Sequence, residues 1–254
     1  MMFWWHILRM AKNKMIAILS FPRSGNHFVR YIVEFVTGRS TIGHNVALSD
    51  PADSPICRRK GIKFLKHVDF HNPVARKYHF ADAKKLAKYG DIVKSTKLVL
   101  IMRHPLESFL SHRVDKFRVY MNSNRSFAEN VKKLVSVDKK ALLYNLNFYN
   151  NFQGPKICIW YEDLISDKPE KSIEKISSFC GGSQERLLEI SNNFEKYKLD
   201  SLKSPPRQPA SINRPNPEKF YSNKIKTQNL DNYQYLEEKF CELLEHPLLG
   251  EKYK

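Results

Sequence analysis

The chain has 254 residues and a formal net charge of +17, from 43 Lys and Arg against 26 Asp and Glu. Hydrophobic residues at 42% and charged residues at 27% make a globular composition, which excludes wholesale disorder; 9 glycines and 13 prolines exclude collagen-like and low-complexity chains. No apolar run reaches the roughly 18 residues that a membrane-spanning helix needs.

Residues 1–14 read as an N-terminal flap. Phe3-Trp4-Trp5-His6-Ile7-Leu8 is apolar but too short to span a membrane, and it lacks the small-residue cleavage site of a secretory signal. A short interfacial anchor touching a membrane is the alternative reading. Residues 15–20 form a mostly apolar run bounded by lysine and Pro22, the pattern of a buried parallel strand. A turn cluster follows, and then a helix over 27–36 with Phe28, Ile32, Phe35 and Val36 on one face and Gly38 as its stop. Residues 39–60 are polar and read as an irregular connection. Residues 62–67 give a second strand and 81–90 a short helix. The run 97–102 is the clearest strand, and Pro105 opens the helix after it. Residues 119–126 look like a loop, and a long helix covers 127–150. Residues 156–161 are another strand. Helices follow from Pro169 to the Gly181-Gly182 stop and over 183–194. Residues 201–226 are a basic, proline-rich loop, and a final helix covers 230–244.

Strands alternating with helices predict an α/β fold: a single domain with a central parallel sheet flanked by helices. Ligands in such sheets bind at the carboxyl ends of the strands. Two strand ends there have chemistry. In the loop Pro22-Arg23-Ser24-Gly25-Asn26-His27, backbone N–H groups and the positive end of the helix make an anion cradle. Arg23 adds a planar donor fork, Ser24 a hydroxyl and Gly25 room for close backbone approach. Taken alone, the loop is equally an ordinary strand–helix turn. It lacks the Gly-Lys-[Ser/Thr] of a nucleoside-triphosphate loop, which predicts fewer phosphates cradled and no required metal. Arg103 ends the clearest strand, and Ser111 lies eight residues on, about two helical turns into the next helix. The pair suits a second, separate phosphate; alone, each is equally a capping arginine and a surface serine.

These residues resemble a known family. Phe21-Pro22-Arg23-Ser24-Gly25-Asn26-His27-Phe28 is similar to the 5′-phosphosulfate loop of sulfotransferases that use 3′-phosphoadenosine 5′-phosphosulfate (PAPS), usually P-[KR]-S-G-[TS]-T-W. Arg103-His104-Pro105 with Ser111 resembles their 3′-phosphate motif, R-x-P-x-x-x-x-x-S, and Tyr161-Glu162-Asp163-Leu164 resembles their Y-E-D-L segment. The three stand in family order over about two-thirds of the chain. The resemblance implies a P-loop-like sulfotransferase fold that takes PAPS as donor, releases 3′-phosphoadenosine 5′-phosphate (PAP) and needs no metal. Arg23 would contact the sulfuryl group and the 5′-phosphate, with Ser24, Gly25, Asn26 and His27 as the cradle. Phe28 would stack on adenine, Arg103 and Ser111 would bind the 3′-phosphate, and Tyr161 would lie near adenine. Asn26 and His27 depart from the family's Thr/Ser pair. The loop 201–226 would close on the 3′-phosphate, through Arg214 first and Arg207 second, although the family's R-K-G element is absent.

Members acting on small hydroxyl acceptors often carry K-[TS]-H after a strand; here Lys66-His67 lacks the intervening residue. Adjacent strand side chains point to opposite faces, so Lys66 and His67 share a site only where the strand has ended or bulges. His67 is the expected base, since imidazole suits proton removal from an alcohol near neutral pH, with Asp69 and His71 as the other candidates. The polar, basic segments expected around the acceptor favour a glycan or glycolipid hydroxyl. Four scattered cysteines without a C-x-x-C pair point to a reducing, cytoplasmic setting. The charge of +17 fits capture of an anionic donor. It also keeps two other readings open: a nonenzymatic nucleic-acid or anion binder, for which no recognition motif is visible, and a nucleotide kinase.

Overall fold

The apolar run after Lys14 becomes the middle strand of a sheet covered on both faces. In the computed structural model, which describes residues 15–43, 54–56, 67–79, 92, 94–121, 127–202 and 230–253, strand β1 is Ile16–Ser20, and all five of its residues are buried. Helix α1 (Asn26–Thr37) leads to a two-residue strand β2 (Thr41–Ile42), then to β3 (Ala75–Tyr78) and β4 (Lys97–Met102). Helices α2 (Pro105–Met121) and α3 (Phe127–Asn151) precede β5 (Lys156–Trp160). A helical turn α4 (Tyr161–Ile165) follows, then α5 (Glu170–Cys180), α6 (Gln184–Asn192), α7 (Phe194–Leu202), α8 (Leu230–Cys241) and α9 (Pro247–Tyr253). The sheet order is β2-β3-β1-β4-β5, and every pairing is parallel. None of the described helices is long and apolar enough to cross a membrane.

Alternate residues of the central strands feed two separate cores, as the two-residue repeat of a strand requires. Ile16 and Ile18 of β1 and Val99 and Ile101 of β4 pack with α1, α5, α6 and α7. Ala17, Leu19, Leu98, Leu100 and Met102 pack with α2, α3, α8 and α9. The chain therefore leaves β1 for one face and β4 for the other, although the two strands are neighbours. That divergence opens a crevice between their carboxyl ends.

Helix α1 departs from the expected one-sided pattern: every residue from Phe28 to Val36 is buried, including Arg30 and Glu34. Arg30 donates from Nε to Thr41 Oγ1 at 2.7 Å and from Nη2 to the Thr41 carbonyl at 2.9 Å. Glu34 Oε1 accepts from the Thr41 amide (2.9 Å) and hydroxyl (2.7 Å), and Oε2 accepts from Ser54 Oγ (2.5 Å) and the Ile56 amide (3.1 Å). Burial pushes the Glu34 carboxyl upward, against Arg30 and these hydrogen bonds, which pull it down. One carboxylate thus ties α1 to β2 and to residues 54–56.

Three expectations are corrected. A strand that leads to the crevice is Ala75–Tyr78; of the expected strand 62–67, residues 62–66 lie outside the described residues, and His67 is exposed and not in a strand. With Arg76 and Lys77 at its centre, this strand lacks the apolar alternation that marks a strand in sequence. Helix 183–194 breaks at Asn193, whose backbone leaves the helical region, giving α6 and α7. Helix 230–244 ends at Cys241, and a tighter turn over Glu242–Glu245 leads to α9. The expectations for the flap 1–14, Lys66, the helix 81–90, Arg207 and Arg214 lie outside the described residues.

Replacing Glu34 by Ala leaves buried donors unpaired and Arg30 without its counter-charge, which costs about 3–5 kcal/mol for a buried pair. Urea unfolding of Glu34→Ala should show a loss of that size, and Glu34→Gln, which keeps the volume and one of the two acceptor oxygens, a smaller one.

Candidate functional site at the sheet's carboxyl edge

The crevice is built from the β1–α1 loop, the end of β4 with the start of α2, and the start of α4. Gly25 takes a left-handed conformation (φ 83°) and caps α1 without any side-chain cap, and no acidic residue stands in the first turn. Such a helix start suits an anion. Arg23 is also left-handed, at φ 66°. A non-glycine residue there costs on the order of 1 kcal/mol or more and persists only when its surroundings hold it. The holding contact comes from Arg103, whose Nη1 donates to the Arg23 carbonyl at 3.2 Å. The Arg103 guanidinium also lies 5.1 Å from the Tyr161 ring centroid, a cation–π contact. Tyr161 in turn lies over Gly25: a Cβ on that glycine would meet the ring, with Cε2 at 2.9 Å.

The loop is fastened to α2 as well. Ser24 Oγ lies 3.3 Å from Ser108 Oγ, and both residues are buried. Ser111 is three residues further along α2, on the same helix face as Ser108. It is 2% exposed, not a surface serine, and its hydroxyl has no hydrogen-bond partner among the described residues. A buried polar atom without a partner calls for a ligand or solvent to complete it. Beside this region, the His112 ring meets Phe21 edge-on at 5.5 Å. Burial, reinforced by Arg113, lowers the His112 imidazole to about 4, so it is neutral near pH 7.

The remaining expected residues fall in different places. Asn26 donates its amide N–H to Ser20 Oγ at the end of β1, at 2.5 Å. His27 is exposed. Phe28 is 6% exposed and packs 5.8 Å from the Phe194 ring inside the core, so an adenine-stacking role does not match its position. His67 is displaced furthest. Two residues on, Asp69 donates its amide to the Gly38 carbonyl at 2.8 Å and accepts from the Ser40 amide at 3.0 Å. That is the carboxyl end of α1, about 18 Å of helix from Gly25 for 12 residues. His67, Asp69 and His71 precede β3 and so stand at the opposite edge of the sheet, whereas Ala75–Tyr78 is the strand that runs to the crevice beside β1.

The histidine that does reach it was missed. β3 runs beside β1 with Tyr78 opposite Leu19, so His79 emerges beside Ser20, and its Nδ1 lies 3.5 Å from Ser20 Oγ. Lys77 is two residues earlier and shares its face. Lys77-Tyr78-His79 keeps the lysine–any–histidine spacing that Lys66-His67 lacks. That spacing was the available signal. Ser20 and Ser108 had no sequence signal, because a lone serine at a strand or helix end is ordinary.

No group of three or more His, Cys, Asp or Glu that could hold a metal ion occurs among the described residues. Burial pushes the Cys158 and Cys180 thiols up to about 12, which leaves neither as a nucleophile at neutral pH. No protein-family model matches the chain, and no curated protein matches it in sequence.

Two outcomes follow. Gly25→Ala meets both the Tyr161 ring and a left-handed backbone, so urea unfolding should show a loss of more than about 1 kcal/mol; a wild-type midpoint would mean the ring is not seated on the loop. His112 should titrate near 4 when its ring protons are followed by NMR, rather than near 6.5. Because the unfolded chain then takes up that proton first, this group's contribution to stability is full above pH 6.5 and is lost as pH falls toward 4.

Proposed function

We propose that this protein transfers a sulfuryl group from PAPS to an acceptor hydroxyl and releases PAP, on a sulfotransferase-like variant of the phosphate-loop fold. The observation that carries this reading is the joining of two anion-binding groups at one crevice. The Arg23–Gly25 loop and the Arg103/Ser111 pair lie at neighbouring strand ends and are linked by the bond from Arg103 to the Arg23 carbonyl. Two separated phosphates, one 5′ and one 3′, match that layout better than a linear triphosphate on a single loop.

In the reaction, the acceptor oxygen attacks sulfur in line, and the bond from sulfur to the oxygen bridging to the 5′-phosphate breaks. His79 takes the acceptor proton, replacing His67 in that role, with its Nδ1 held by Ser20. Lys77 and Arg23 stabilise the negative charge that grows on the departing oxygen, with the amides at the start of α1. Arg103 and Ser111 hold the 3′-phosphate, and Tyr161 flanks the adenine. Prepositioned donors of this kind act without reorganising as charge develops. The acceptor class remains a glycan or glycolipid hydroxyl, and the setting the cytoplasm.

A thermal-shift series tests the donor. At a hundred times its dissociation constant a ligand adds about 2.7 kcal/mol, which raises the midpoint by roughly 5–10 °C at this size. PAP should do so, and the same PAP concentration should give a much smaller shift in Arg103→Ala. A shift with ATP and magnesium but not PAP would favour a kinase, and one with oligonucleotide alone, erased by salt, a nucleic-acid binder. With PAPS and an acceptor, His79→Ala should lower turnover by about 10²–10⁴ and Arg23→Ala by about 10²–10³, whereas His67→Ala should leave it unchanged.

A further inference from the structure

Helix α9 lies against the strand end that carries Arg103, and a single carboxylate joins them. Tyr253 donates its hydroxyl to Glu162 Oε2 at 2.9 Å. The other oxygen, Oε1, accepts from the His104 amide at 2.7 Å. His104 immediately precedes Pro105, the first residue of α2, so Glu162 places negative charge at that helix's positive end. The Tyr253 ring is fixed on two sides, edge-on to His104 at 5.0 Å and to Trp160 at 5.4 Å. Lys252 pairs with Asp163, next to Glu162, and anchors the same turn of α9. Burial, with Glu162 beside it, raises the Tyr253 phenol above its usual range, so the hydroxyl remains a donor near neutral pH.

The peptide that Glu162 grips is the one that follows Arg103, the residue whose guanidinium spans from the Tyr161 ring to the Arg23 carbonyl. We propose that Tyr253 is a positioning residue for the anion site: through Glu162 and the His104 amide it sets the height of Arg103 at the crevice, and so couples helix α9 to binding of the 3′-phosphate. The proposal rests on the PAPS reading given above. Tyr253 touches neither ligand nor reacting atoms; it acts through Arg103.

The test is a double-mutant cycle in the full chain, with PAP as the probe and calorimetry as the readout. Tyr253→Phe keeps the ring against His104 and Trp160 and removes only the hydroxyl, and its unliganded melting midpoint reports that the fold is intact. It should weaken PAP binding about three- to tenfold, the net worth of one hydrogen bond. In an Arg103→Ala background the same change should have no further effect, because the group it positions is gone. Unchanged PAP affinity in Tyr253→Phe overturns the proposal. So does a loss of equal size with and without Arg103, which would make Tyr253 a structural prop only. If the wild-type chain does not bind PAP at all, the donor reading itself fails, a result distinct from either of these.

Discussion

From Phe28 to Val36, helix α1 is buried on every side, and much else follows from that constraint. The sheet covers one side of it, and α5, α6 and α7 pack over the rest. Arg30 and Glu34 therefore have to find all their partners within the protein, and they do so in β2 and residues 54–56. Because α1 is fixed along its length, its two ends become two different places. The amino end, capped by left-handed Gly25, faces the crevice; the carboxyl end, capped by left-handed Gly38, meets Ser40 and Asp69. Only the first can serve an anion, since the helix dipole is positive there and negative at the other end.

The crevice gains its order from contacts that cross between elements rather than from any one motif. Arg23 is strained, and the contact on its carbonyl comes from a residue 80 positions away. Tyr161, from a third element, closes over Gly25 and under Arg103. Three strand ends thus hold one loop in a conformation it would not keep alone. The Arg103 guanidinium is balanced by Glu107, 3.8 Å away, and by the carbonyl it already serves.

How much of this was legible in the sequence follows from where each signal lives. β1, α1, β4 and β5 announce themselves because buried parallel strands and their helices are apolar in long runs. The strand ends that matter, Arg23 to Gly25 and Arg103, were legible for the same reason: they directly follow the clearest runs. β3 was not legible, since Arg76 and Lys77 interrupt its pattern and its place is set by pairing with β1 on one side and β2 on the other. Missing β3 put the expected base at His67, before that strand, rather than at His79, which follows it and is the base we propose. Phe28 failed differently. Its position in the loop motif is right for a ring near a ligand, but the turn of α1 directs it into the core beside Phe194. The Tyr253–Glu162–His104 link could not be read at all, because tertiary packing alone brings those residues together.

The departure at Asn26 acquires a physical meaning through Ser20. A hydroxyl residue at this position could point its oxygen toward an anion bound at the loop. Asn26 instead reaches back to Ser20 Oγ, and Ser20 Oγ also stands near His79 Nδ1. The first residue of α1 and the histidine at the end of β3 are therefore joined through one buried hydroxyl at the end of β1. A hydroxyl can accept from the Asn26 amide and still donate its own proton. If it donates to His79 Nδ1, that nitrogen is the acceptor of the neutral ring and the proton sits on Nε2. If it accepts from His79 instead, Nε2 is left as the lone-pair nitrogen, which is the form a base requires. Asn26 bears on this choice only through Ser20, so the residue that departs from the sulfotransferase motif is also the one that ties the loop to His79, the base we propose.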